Sequence, residues 1–150
     1  MTQEKLKARV DALVTLAISS IFDRPFTFDL QFERKRGRVE CTPRIMEGDK
    51  EYIPKEDVGG GIIDITSFAM RVVLWSIENP KARNLFILDE PMKFVGKGLL
   101  LERAGNVLRE IADRLGVQLI VVTHESELAS MADTKYIVTH DGISKVERVD

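Results

Sequence analysis

The sequence predicts an α/β fold: a mostly parallel sheet with flanking helices, preceded by one long helix and a β-hairpin. Three observations carry this. Leu85-Phe86-Ile87-Leu88 runs without alternation into Asp89, Glu90 and Pro91, as a strand buried on both faces does. Val117 to Val122 repeats the pattern and ends at Thr123-His124-Glu125. Between them Leu100, Ala104, Val107, Leu108, Ile111 and Leu115 recur at helical spacing, stopped by Gly116. Strand, helix and strand at this distance make a right-handed crossover, so the two strands run parallel.

Composition sets the outer bounds. At 150 residues the chain is read as one domain with a moderate core. Hydrophobic content of 44% and charged content of 31% fit a soluble globular protein. Lys+Arg of 22 against Asp+Glu of 24 leaves no bulk positive charge for nucleic acid, though a local patch can still serve. The single Cys41 excludes an internal disulfide and a multi-cysteine zinc site, and suits a reducing compartment. No apolar run reads as long enough to cross a bilayer, and the polar start Met1 to Lys5 has no signal-peptide core. The expectation is a cytoplasmic protein without a membrane partner.

In chain order, Leu6, Val10, Leu13, Val14, Ala17, Ile18 and Ile21 mark an amphipathic helix within 1–24. It reads either as a core-packing helix or as the stump of a coiled coil. Residues 26–57 read as a hairpin and loop. Phe26, Phe28, Leu30 and Phe32 alternate with polar neighbours, Lys35-Arg36-Gly37 turns, and Val39, Cys41 and Ile45 return. Pro43 belongs at an edge or a bulge. Arg34, Lys35, Arg36 and Arg38 form a basic tip that either meets phosphates or is solvated.

Residues 58–150 form the third segment. Val58-Gly59-Gly60-Gly61 opens a helix carrying Ile65, Phe68, Ala69, Val72 and Trp75. Such a start offers free N–H groups and a positive dipole end to an anion, or is an ordinary flexible turn. Asp89, Glu90 and His124 share the C-terminal edge of the sheet, where open α/β sheets bind ligands. One acid of such a pair can serve a Mg²⁺ shell while the next polarises a water; the alternative is a solvated rim. A short helix in Glu125 to Ala132, a strand in Lys135 to Thr139, a turn at His140-Asp141-Gly142 and a last strand in Val146 to Val149 complete the chain.

The glycine run opening a helix, Leu85 to Pro91, and Val121-Val122-Thr123-His124-Glu125, in that order, resemble the C-terminal half of an ABC-type ATPase head. Within that class the sequence is most similar to SMC-like DNA-repair ATPases of the SbcC type, including phage recombination-nuclease subunits. The resemblance implies the C-terminal lobe of a P-loop NTPase. Asp89 would hold Mg²⁺, Glu90 would activate the hydrolytic water, and His124 would be the switch histidine at the γ-phosphate of ATP. Gly59, Gly60 and Gly61 would be the signature loop clamping ATP on an opposite head.

Gly59 stands where the family has Ser, Ile62 where a polar residue follows the glycines, and Gly96 where the loop after the acidic strand carries Asp. A phosphate-cradling P-loop needs Gly-Lys-Ser/Thr. The only Gly-Lys pair, Gly96-Lys97, is followed by Gly98 and preceded by Pro91 at the first glycine's place. The P-loop strand is therefore missing, and in the family it runs between the His124 strand and the Lys135 strand. The implied partners are a P-loop-bearing N-terminal lobe or second head, a nuclease subunit and DNA, and the implied activity is ATP hydrolysis only in the completed assembly. A non-catalytic lobe that binds DNA or a partner is the alternative. A stand-alone Mg²⁺ phosphoesterase recruiting Asp57 or Asp64 is a third reading.

Overall fold

The computed structural model describes residues 2–52, 59–78 and 82–149. Helix α1 spans Gln3–Ile21, capped by Thr2, whose hydroxyl accepts from the Lys5 N–H. Its stripe of Val10, Val14, Ala17, Ile18 and Ile21 is buried. Strands β1 (Phe26–Lys35), β2 (Arg38–Glu47) and β3 (Lys50–Tyr52) form an antiparallel meander. Its first turn puts Arg36 and Gly37 at φ 49° and 77°, the left-handed pair that a two-residue hairpin demands. The β1–β2 register is unbroken, with Leu30 opposite Pro43. Since β3 pairs only with Ile45 to Glu47, Pro43 lies on an open edge, as its missing N–H requires.

The alternation in β1 is expressed as burial. Phe26, Phe28 and Leu30 face α1 and the core, with Ile45 and Tyr52 beside them. α1 also covers the edge of β1: the Phe28 N–H donates to Thr15 Oγ1 and the Leu30 N–H to Asp11 Oδ1, both at 2.8 Å. Those two edge amides are therefore satisfied without a further strand.

Helix α2 (Gly60–Ile77) buries Ile62, Ile65, Phe68, Ala69, Val72 and Val73 in the same core, and Trp75 is buried too. Here one expectation is corrected. With only Asp64 and Arg71 charged, α2 is by length and composition able to cross a bilayer, at a mean hydropathy of 1.4 over 18 residues. It does so on paper because a central core helix is apolar on more than one side. In the fold its apolar residues pack with those of α1 and β4. Asp57, Val58 and Ile53 lie outside the described residues.

The crossover connection is as expected, but burial on both faces is corrected: Ile87, Ile120 and Val122 are exposed, so one face of the strand pair is uncovered. β4 (Leu85–Asp89), α3 (Leu99–Leu115) and β5 (Gln118–Val122) form a parallel unit, with Asp89 level with Val122. Gly116 closes α3 in the left-handed conformation. A short α4 (Ser126–Ala129) follows, then β6 (Lys135–Asp141) and β7 (Ile143–Val149), an antiparallel hairpin turning at Gly142. His140 and Asp141 thus belong to β6 rather than to the turn. The expected mostly parallel sheet is also corrected. Among the described residues β4–β5 is the one parallel pair, and β6–β7 is a separate sheet that does not pair with β5. No residue of β6 or β7 belongs to the core cluster.

Candidate active site

The site is built at the C-terminal ends of β4 and β5. The ladder continues one step beyond β4: the Glu90 N–H donates to Val122 O at 2.8 Å, fixing Glu90 beside the strand that leads into His124. Glu90 Oε1 and His124 Nδ1 are 2.8 Å apart. An ionised carboxylate can only accept, so Nδ1 carries the hydrogen of this bond and Nε2 is left facing outward. Glu125 Oε1 stands 3.6 Å from Nε2, so the imidazole lies between two carboxylates. The sequence placed Glu125 next to His124, but its facing the ring depends on the backbone bend after β5 and is not a matter of spacing.

The second oxygen of Glu90 is the most informative atom of the site. Oε2 is buried and has no hydrogen-bond partner among the described residues. An unsatisfied buried carboxylate oxygen is costly, so a rearrangement that brings it a donor is favoured. Asp89, one residue earlier, is exposed at the rim. Both line an open concavity with Asp64, Ser67 and Arg71 of α2. Of these side chains, Asp89 is the exposed carboxylate through which a hydrated Mg²⁺ would be held. Among the described residues no group of three or more metal-ligating side chains forms a self-sufficient metal site. Asp64 is already engaged, accepting from the Phe94 N–H at 2.9 Å.

Of the glycines, Gly60 and Gly61 pack against the loop that follows Glu90. Gly59 caps α2 without a side-chain bond and is open around its Cα. A Cβ on Gly60 would lie 2.6 Å from Phe94 Cβ, and one on Gly61 2.7 Å from Val95 Cα. Both positions need glycine because loop 91–98 packs directly on the helix start. Sequence reasoning found the run but not this contact partner, which is distant in the chain.

The basic tip is a different surface, at the far turn of the β1–β2 hairpin. Arg34, Arg36 and Arg38 are exposed. Lys35 is not a free cation: it pairs with Glu33 Oε2 at 2.7 Å.

No family model matches the sequence, and no curated protein matches it. The fold nevertheless has clear counterparts among solved structures. It is similar to a structure from work on the ATP-driven dimerisation and DNA-stimulated activation of SMC ATPases, at TM-score 0.75 and 16% identity over 98% of this chain and 86% of that one. The fold is SMC-head-like. It is likewise similar to an SMC head bound to the C-winged helix domain of ScpA, at TM-score 0.76 and 16% identity, covering 97% of this chain and 44% of that one. A third is the Smc head domain with a coiled coil and joint from Pyrococcus yayanosii, at TM-score 0.74 and 15% identity, covering 94% and 26%. The chain thus spans under half the length of the latter two. At these identities the likeness is one of fold.

Proposed function

We propose that this chain is the C-terminal half of an SMC-like ATPase head of the SbcC type, hydrolysing ATP with Mg²⁺ once a P-loop-bearing lobe or second head completes it. The single observation that carries this is the Glu90–His124 contact of 2.8 Å with the other Glu90 oxygen buried and unpartnered. Glu90 is placed to accept a proton from an attacking water, while His124 holds the carboxylate in orientation. Asp89 would hold Mg²⁺, which supplies charge neutralisation for phosphoryl transfer. Among the described residues no further strand pairs with β5 or β6, which supports completion by a strand from elsewhere. DNA repair, recombination or phage DNA processing is the proposed setting, in the cytoplasm and with a nuclease subunit as partner.

The chain alone should not turn over ATP; adding a P-loop lobe should switch turnover on. Glu90→Gln should then lower kcat by about 10²–10⁴-fold and leave ATP binding intact. Turnover by the isolated chain, or undiminished turnover by the variant, would refute the reading.

A second reading, a non-catalytic lobe binding DNA, draws on two observations. Close packing on Phe94 and Val95 already accounts for Gly60 and Gly61, and three arginines are exposed at the hairpin tip. If that tip meets phosphates, Arg34, Arg36 and Arg38 changed to Ala should lower the salt slope of DNA affinity by about one per arginine. An unchanged slope removes the tip from DNA binding.

A further inference from the structure

Loop 91–98 links the acidic rim to the glycine turn, and its backbone is held away from relaxed geometry. Glu90 and Met92 adopt φ 45° and 65° without being glycine. Such conformations cost energy and persist where the surroundings over-determine them. Met92 and Val95 anchor the loop from within, both buried. Two carboxylates anchor it from outside. Asp64 Oδ2, on α2, accepts from the Phe94 N–H at 2.9 Å. Glu127 Oε2, on α4, accepts from the Gly98 N–H at 3.0 Å. The loop that starts at Glu90 is therefore pinned on one side to the helix opened by the glycines and on the other to the helix that follows His124.

We infer that Asp64 is a positioning residue: by holding the Phe94 amide it locks loop 91–98 onto the glycine turn and thereby sets the Glu90 carboxylate on His124. The bond is charge-assisted, which makes it one of the stronger ties available to a loop. Gly60 and Gly61 allow the approach, and Asp64 holds it closed. Glu127 does the same at the loop's far end. A shift of the α2 start passes to Glu90 through a segment with no slack at Phe94 or Val95. The consequence for turnover rests on the hydrolysis proposed above; the positioning itself does not.

The test separates the two. Asp64→Ala removes the acceptor, whereas Asp64→Asn keeps an oxygen at the same place. By NMR on the full chain, Asp64→Ala should speed exchange of the Phe94 amide about fivefold or more. It should also move the ¹⁵N resonance of His124 Nδ1 in the direction that Glu90→Gln moves it. Asp64→Asn should leave both near the wild-type values. In the chain completed by a P-loop lobe, Asp64→Ala should lower kcat while ATP KM holds, and Asp64→Asn should restore kcat. Unchanged Phe94 exchange overturns the proposal. So does faster exchange with a fixed His124 resonance, because loop and carboxylate would then be uncoupled. If both NMR signatures move but the completed wild-type chain is inactive, the positioning stands and the hydrolysis reading falls. If Asp64→Ala does not fold, Asp64→Ser, too short to reach the amide, takes its place with the same outcomes.

Discussion

The two ends of the chain solve the same problem in opposite ways. At the N-terminal end a curled antiparallel sheet has its inner face filled by Phe26, Phe28, Leu30 and Ile45. Its outer strand is closed by α1 through Thr15 and Asp11. At the C-terminal end, among the described residues, β6 and β7 pair with each other alone and neither belongs to the core cluster. Tyr136, Ile137, Val138, Ile143 and Val146 are all exposed there. A two-stranded hairpin alone in water is marginal at best. One end is finished by its own sequence, and the other has the sequence of a buried element without the layer that would bury it.

Core truncation gives the largest contrast. Phe26 is 2% exposed and meets Phe22 and Tyr52 edge to face. Phe26→Ala should cost about 3–5 kcal/mol in urea unfolding, while Ile137→Ala should stay within about 0.5 kcal/mol. Equal losses would break the comparison. Completion should sharpen it next. On adding a P-loop lobe, amide exchange in β6 and along the free side of β5 should slow at least about tenfold, a shift of about 1.4 kcal/mol. Exchange in β1 and β2 should hold. Protection of both ends alike would show global stabilisation instead of a filled gap.

The smallest effect is electrostatic and belongs to the finished end. Lys7 bridges Asp11 and Asp29, joining α1 to β1. The hydrogen bond from Lys7 holds the Asp29 carboxyl below its usual range. Burial opposes the Lys7 charge, yet its bonds to Asp11 and Asp29 raise it overall. A lowered carboxyl contributes stability that is present above the unfolded value of about 3.9 and lost as pH falls through the folded one. A raised amine contributes stability that is present below about 10.4 and lost above it. The pair is part-exposed, so its share should not exceed about 1 kcal/mol. Asp29→Asn should flatten the acid limb of a melting-temperature profile below about pH 4. An unaltered limb would assign the acid loss elsewhere.

Much of this was legible in the sequence where local pattern decides the outcome. Period-two alternation gave β1 and its buried face. Apolar runs and one helical stripe gave β4, α3 and β5, and hence Glu90 and His124 on one rim. Where long-range packing decides, the sequence was silent. Nothing near Gly60 announces Phe94. The apolar character of α2 was missed as a possible span because it is spread around the helix in place of one run. The mostly parallel sheet rested on the resemblance, which puts a further strand between those of His124 and Lys135; among the described residues β4–β5 is the one parallel pair, and β6 pairs with β7. Glu125 and Glu127 carried no signal beyond being acidic near a histidine.

The bare hairpin also bears on how the protein must be made. If the P-loop lobe proposed above is a separate polypeptide, a chain released ahead of it carries a strip of exposed β-branched residues, the kind of edge on which identical chains stack. Its yield in a cell should therefore follow the ratio of the two polypeptides more closely than its own melting temperature. Co-expression, in that case, is a folding condition.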